Sequence, residues 1–393
     1  MSEKVNKETS AVRIQAKRSE HREHSVPVFE TSSFVFGSAE EAEAIFKDES
    51  LGYSYTRFAN PNTDELVRKL CALEGAEDGV VTASGMAAVF LSLISILRPG
   101  DHVLASRQLF GATHLMLTQI LAKWGISHTY VDINDKKEWE EGILPTTRMI
   151  YTETPSNPGL DIVDLNWLGK FAHKNDLFLV VDNCFATPFI QSPLSLGADL
   201  VVHSTTKLID GQGRTIGGAV LGNKEVMQDV RTLLKITGPV MSPHVAWILS
   251  KSIETLSVRL ERHCSNALKL ARSLESNKEV NWVKYPFLPS HPQYKIARKQ
   301  MTQGGGMVTF EVKGGVKRAH RLINELKIAS ISSNLGDTRT IVTHPSTTTH
   351  SKLTVEERKL SGITDGMIRV SVGLEHIDDL IADFNDAIIQ SKR

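Results

Sequence analysis

The chain has 393 residues, of which 45 are Lys or Arg and 45 Asp or Glu, so its net charge is zero. That balance offers no electrostatic surface to nucleic acid or to an anionic membrane, and neither is expected as a partner. Apolar residues make up 41% of the sequence, enough for a large core, and the length predicts two domains.

Residues 1–7 lack the apolar core of a secretory leader. The longest apolar stretch, Gly85 to Leu97, is too short to cross a bilayer and contains Ser92 and Ser95. Cys71, Cys184 and Cys264 show no paired spacing, which points to reduced thiols and a cytoplasmic protein. Residues 1 to about 50 are polar and without strong period, so an arm is expected there rather than a core. His21 and His24 have no further ligands at metal-binding spacing, and no metal is expected. In the loop from Gly52 to Asn62, Tyr55 and Arg57 stand two apart and project to one side of an extended segment. Such a pair could hold a phosphate through the arginine fork, or simply line a surface loop. A helix follows, capped by Asn62 or Thr63, with Leu66, Leu70 and Leu73 on one face and Gly75 as its stop.

Gly79 to Ala88 reads as a strand, a small-residue turn and a helix start. The backbone N–H groups at Gly85 and Met86 could cup a phosphate there. Neither a P-loop nor a G-x-G-x-x-G fingerprint is present. Strands are predicted at His102–Ser106, Ser127–Asp132 and Met149–Glu153, and helices at Phe110–Trp124 and Asp164–Lys174. Thr154-Pro155-Ser156-Asn157-Pro158 is a stiff loop at a strand end. Leu177 to Asp182 is a continuous apolar run, as expected of a strand covered on both faces, and it ends in a carboxylate. Asp199 to Lys207 repeats the pattern: an apolar strand opens into Ser204, Thr205 and Thr206, then Lys207, with Gly211 and Gly213 beyond.

A lysine at the mouth of a buried strand must be paired, neutralised or covalently used, unless it reaches solvent. Schiff-base formation is one covalent use. Asp182 alone could be a turn residue. At the neighbouring strand end, however, it suits a pyridinium nitrogen, and hydroxyls beside the lysine suit a phosphate; together these describe pyridoxal phosphate. A strand at Gly217–Leu221 completes an α/β pattern: a mostly parallel sheet with helices on both faces, whose ligands sit at the carboxyl ends of strands. Gly85, Asn157, Asp182 and Lys207 all fall at such ends. After Lys224 the pattern changes. Helices are expected over 225–235 and 243–275, then a smaller α+β unit with strands Met307–Val312, Ile328–Ser333 and Met367–Val372 and helices Lys317–Leu326 and the tail after Glu375. The expected organisation is an arm over 1–60, a cofactor-binding domain over 61–245 and a C-terminal domain over 246–393.

Taken in order, these motifs resemble the Cys/Met-metabolism branch of fold-type I pyridoxal-phosphate enzymes. The matching pieces are Tyr53 to Arg57 with Asn60-Pro61, Ser84-Gly85-Met86-Ala87, Glu153 to Pro158, Asp182-Asn183, Ser204 to Lys207, and Arg369 to Glu375. The resemblance covers nearly the whole chain. It implies that Lys207 anchors the cofactor and moves protons. Asp182 would pair with the pyridine nitrogen, and Gly85, Met86, Ser204 and Thr206 would bind the phosphate. Tyr55 and Arg57 would reach that phosphate from a neighbouring subunit, so self-association as a dimer of dimers is implied. Asn157 would contact the ring oxygen, and Arg369 would clamp the substrate carboxylate with Ser332 close by.

One departure stands out. The family usually stacks a tyrosine on the cofactor ring just before a glycine; here Phe110 precedes Gly111. Phenylalanine keeps the stacking face and loses the hydroxyl. Cys184 replaces a common threonine and is read as a small packing residue. Phe110, the stretch Leu335-Gly336-Asp337-Thr338-Arg339 and the run from Lys207 to Arg214 are similar to the O-succinylhomoserine sulfhydrylase subgroup. The implied reaction is γ-replacement of succinate by sulfide, giving homocysteine. Cystathionine γ-synthase and γ-lyase chemistry share every cofactor residue. A non-catalytic protein that keeps the fold is the alternative from another class, and intact Lys207, Asp182 and Arg369 argue against it.

Overall fold

A computed structural model describes residues 5–47 and 49–392. Seven strands form the larger sheet: β1 (Asp78–Thr82), β2 (His102–Ser106), β3 (Ser127–Val131), β4 (Thr147–Glu153), β5 (Phe178–Asp182), β6 (Leu200–His203) and β7 (Gly218–Gly222). Their order is β1-β7-β6-β5-β4-β2-β3. β3, β2, β4, β5 and β6 pair in parallel, and β7 lies antiparallel between β6 and β1. The chain after β6 makes the tight Lys207 turn and returns without a helical crossover, so β7 can only pair antiparallel.

Each central strand is buried on both faces, which is why it reads as an unbroken apolar run. Val103, Met149, Val180 and Val202 pack on one side with helix Gly85–Ile94, and Leu104, Ile150, Leu179, Val181 and Val201 on the other with helix Leu165–Lys174. The helix expected over Phe110–Trp124 is broken into an α turn at Gly111–Leu115, a π turn at Met116–Ile120 and a 3₁₀ turn at Leu121–Trp124. A single apolar stripe does not register these changes of pitch.

The smaller sheet has the order β10-β11-β12-β9-β8, from β8 (Val280–Lys284), β9 (Met307–Val312), β10 (Ser330–Ile331), β11 (Ile341–Thr343) and β12 (Met367–Ser371). Only β10 and β11 pair in parallel. The strand expected over Ile328–Ser333 is therefore a two-residue edge; the residues after it leave the sheet and run as irregular chain towards β6. The helical stretch expected over 243–275 is two helices, Pro243–Ile253 and Leu256–Glu275. At the break the Ser252 carbonyl accepts Arg259 Nη2 at 2.9 Å. The second helix sits astride both cores: Leu256, Leu260 and Cys264 join the large-domain cluster, and Ala267, Leu270 and Leu274 the C-terminal one.

The N-terminal arm is pinned at a few points. Glu65 Oε2 accepts the Ala16 N–H at 2.7 Å, and Trp247 Nε1 donates to the Val26 carbonyl at 2.7 Å. Its helix Ala39–Phe46 buries no residue, and Val35 and Leu51 are 99% and 104% exposed. Among the described residues no helix is long and apolar enough to cross a membrane, and no group of three or more His, Cys, Asp or Glu is placed to hold a metal. All three cysteines are free thiols.

Candidate active site

A cavity of about 540 Å³ opens where the carboxyl ends of β4, β5 and β6 face the C-terminal sheet. Gly85, Met86, Phe110, Asn157, Asp182, Ser204, Thr206, Lys207 and Arg369 all line it. Asn157, Asp182 and Lys207 meet there because a parallel sheet presents its strand ends on one edge, and Arg369 reaches the same space from the smaller sheet.

The floor is set by register. Glu153 at the end of β4 pairs with Asp182 at the end of β5, and Asp182 with Val202 of β6. Two carboxyl groups thus stand side by side. Burial pushes the Asp182 carboxyl up to about 6, against the Cys184 N–H that it accepts at 3.0 Å and the His203 charge. Burial and the Asp182 charge hold Glu153 well above the carboxylate range, although its Oε2 accepts the Phe110 N–H at 2.9 Å. Asp182 lines the cavity, where its ionised form would meet a protonated ring nitrogen.

Lys207 rises from the turn after β6 and donates Nζ to Asn334 Oδ1 at 2.5 Å. Burial lowers its pKa; the Cys184 thiol pulls the other way and the Arg369 charge pushes down again. A lysine that gives up its proton more readily than an exposed one is suited to covalent chemistry. The turn is held from behind. Arg259 donates to the Leu208 and Ile209 carbonyls at 2.7 and 3.2 Å, and Gly336, at φ +75°, lies so close that a Cβ would stand 2.5 Å from the Leu208 nitrogen. The Gly336-Asp337-Thr338-Arg339 stretch therefore braces the lysine turn. Asp337 and Arg339 pair at 2.8 Å and do not line the cavity; Ser333, Asn334 and Leu335 do.

Opposite the lysine, Ser84 caps helix Gly85–Ile94 by accepting the Ala87 N–H at 3.1 Å, and its carbonyl takes the Ala88 N–H. First-turn N–H groups have no intrahelical partner, so those of Gly85 and Met86 are left for the cavity. A Cβ on Gly85 would stand 2.7 Å from Ser204 Cβ, which makes glycine the residue that lets the helix approach the Ser204 turn. Thr206 Oγ1 exchanges hydrogen bonds with the Gly217 N–H and carbonyl at 3.0 and 3.2 Å. Two free N–H groups and the Ser204 hydroxyl form a donor set for a phosphate.

Arg369, on β12 and 2% exposed, crosses between the domains. Its Nη1 donates to Asn157 Oδ1 at 2.9 Å, and Nη2 to the Ser333 and Asn334 carbonyls at 3.2 Å each. Its Nε–H has no partner, so the guanidinium keeps donor capacity for an anion. Ser332 is exposed and lies outside the lining, where Ser333 takes its place. Tyr55 and Arg57 also lie outside this chain's cavity: Tyr55 is exposed, and Arg57 bonds the Lys235 carbonyl and sits over the Phe58 ring at 4.8 Å. Glu153, Ser333 and Asn334 are lining residues that the sequence reading did not single out for the site. Glu153 was legible as the end of an apolar strand; for the Asn334–Lys207 contact no sequence signal exists.

An anion cup, a buried carboxylate facing the cavity and a lysine between them fit pyridoxal 5'-phosphate. Comparison with known proteins gives the same answer. The model of the Cys/Met metabolism PLP-dependent enzyme family matches residues 8–389. The chain is 45% identical to an O-succinylhomoserine sulfhydrylase of Pseudomonas aeruginosa, over 96% of this chain and 93% of that one. It is 44% identical to an L-methionine gamma-lyase of Fusobacterium nucleatum subsp. polymorphum, over 93% of each. A solved structure from Campylobacter jejuni, with N'-pyridoxyl-lysine-5'-monophosphate in it, superposes with a TM-score of 0.93 at 33% identity, covering 98% of this chain and 100% of that one. With the fold, the strand-end constellation and the relatives in agreement, the chain belongs to the Cys/Met-metabolism family of PLP-dependent enzymes and takes pyridoxal 5'-phosphate as its cofactor.

Proposed function

We propose that this enzyme catalyses γ-replacement on O-succinyl-L-homoserine, with sulfide entering and succinate leaving, to give L-homocysteine. Bound pyridoxal phosphate supplies the electron sink for a carbanion at the substrate Cα. The chain's own residues do the rest. Arg369 holds the α-carboxylate, and its three hydrogen bonds to Asn157, Ser333 and Asn334 fix the guanidinium plane, so the Cα–H bond is presented in one orientation. Lys207 Nζ takes that proton; in the cofactor-free chain the same nitrogen donates a hydrogen bond to Asn334 Oδ1. Asp182 stays ionised against the ring nitrogen.

The observation that carries the choice of substrate is the ring-stacking position, which is Phe110; among the described residues of this chain no tyrosine and no histidine line the cavity. Succinate departs as a carboxylate, whose conjugate acid has a pKa of about 4, so it needs no proton. A thiolate leaving group, with a conjugate acid near 8.5 or above, gains from a general acid. A phenylalanine at the ring-stacking position, with no hydroxyl to give a proton, suits the first. Elimination of a thiol is the second reading. It draws on the methionine gamma-lyases, whose identity to this chain nearly equals that of the sulfhydrylases.

We also propose a dimer of dimers in which Tyr55 and Arg57 serve a neighbour's phosphate site. Their distance from this chain's own cavity and the bare apolar residues of the arm support it.

The test is a competition. Holoenzyme given O-succinylhomoserine with sulfide and cysteine together is expected to yield homocysteine by mass. Cystathionine as the main product would transfer the chain to synthase chemistry, and 2-oxobutyrate alone would make it a lyase.

A further inference from the structure

Directly behind Asp182 lies a buried imidazole–carboxylate contact that the chemistry above does not use. His203 ends β6, one residue beyond the Val202 that stands in register with Asp182, and the Asn183 N–H donates to the Val202 carbonyl at 3.0 Å. His203 Nε2 lies 2.7 Å from Glu74 Oε1, at the end of helix Pro61–Glu74. The two side chains are 1% and 0% exposed. Asn183 Nδ2, on the residue after Asp182, donates to the same Glu74 oxygen at 3.0 Å and is itself fixed by Gln191. Glu74 Oε2 and His203 Nδ1 have no partner.

A carboxylate removed from water needs a counter-charge, and among the described residues the imidazole is the one group in contact with it that can carry a positive charge. The other charged group nearby, Lys7, spends its Nζ on the Pro188 carbonyl and Ser192 Oγ. A helix end, a strand end and the residue after Asp182 therefore converge on one buried oxygen. Such a network is costly to build for packing alone, since apolar side chains would fill the same space without two orphaned polar atoms.

We propose that Glu74 and His203 are a positioning pair for Asp182: an imidazolium, balanced by the buried carboxylate, fixes the charge behind the aspartate and keeps it ionised for the cofactor's pyridine nitrogen. The pair touches neither cofactor nor substrate and acts through Asp182. The inference rests on the cofactor and not on the choice of acyl-homoserine substrate, so its test reads cofactor binding and leaves product identity aside.

The experiment compares holoenzymes carrying Glu74→Gln, His203→Gln and both, by the cofactor dissociation constant and by the pH at which the visible absorbance of bound cofactor is lost. His203→Gln leaves Glu74 unbalanced beside Asp182. It is expected to weaken cofactor binding about tenfold or more and to raise the pH of cofactor loss by about one unit. Adding Glu74→Gln removes the stranded charge, and the double variant should recover to within about threefold of Glu74→Gln alone. A purely packing role gives the opposite pattern: losses that add, a double variant weaker than either single one, and cofactor release that follows thermal unfolding. Either finding overturns the proposal. Should His203→Gln fail to fold, Glu74→Gln decides alone. It should raise the pH of cofactor loss, and an unchanged pH overturns the proposal.

Discussion

Asp182 shows how one residue sets opposite demands on the protein with and without its cofactor. Its carboxyl is pushed up to about 6 by burial, whereas an unfolded aspartate titrates near 4. Between those values the cofactor-free folded chain holds more protons than the unfolded one, so this residue's contribution to stability falls as pH rises through the window. Cofactor binding needs the ionised form and runs the other way. Affinity for pyridoxal phosphate should weaken below about pH 6, by about tenfold per pH unit, measurable by equilibrium dialysis with absorbance. Lys207→Ala should abolish both the visible absorbance of lysine-bound cofactor and turnover. Arg369→Lys loses the planar fork: KM for the amino-acid substrate should rise roughly 10–100-fold, the worth of a charged hydrogen bond, with a smaller effect on kcat. Phe110→Tyr returns a hydroxyl to the cavity wall and should raise thiol elimination relative to succinate release, read as the ratio of the two kcat/KM values.

At the scale of elements, the site depends on how closely helix Gly85–Ile94 and the Lys207 turn approach their neighbours. Gly85→Ala places a methyl 2.7 Å from Ser204 Cβ and 3.1 Å from its Cα, and must widen the phosphate cup. Overpacking of this kind costs about 1–3 kcal/mol, so cofactor affinity should fall about five- to hundredfold while the fold persists, checked by titration beside a melting curve. These approaches were only partly visible in the amino-acid order. Buried parallel strands announce themselves as apolar runs, and a carboxylate or lysine at the end of such a run is conspicuous because burial makes it costly; Asp182 and Lys207 were legible for that reason. Arg369 was recognisable only through the family motif. Asn334 against Lys207 and Glu74 against His203 were illegible, because each is a side-chain contact between elements far apart in sequence. The broken helix from Gly111 to Trp124 and the two-residue β10 were missed because apolar period reports which face is buried and not the pitch or the length of pairing.

The whole molecule closes its cavity from two sides, with Arg369 donating from the C-terminal sheet to Asn157 of the large domain. It leaves an arm whose helix buries no residue within the chain. If Tyr55 and Arg57 serve a neighbour, Arg57→Ala and Lys207→Ala proteins, each inactive alone, should regain activity when unfolded together and refolded. Random pairing leaves one intact site in each mixed dimer, so roughly a quarter of the native activity should return; no recovery would place both residues with their own chain's site. Substrate choice is the claim on which the functional reading turns. Its most direct measurement is the ratio of two kcat/KM values on one holoenzyme preparation: succinate release from O-succinylhomoserine in the presence of sulfide, against methanethiol release from methionine. The missing hydroxyl at the ring-stacking Phe110 predicts a ratio of at least about 10² in favour of succinate, the usual worth of a general acid. A ratio near one, or in favour of methionine, would contradict it.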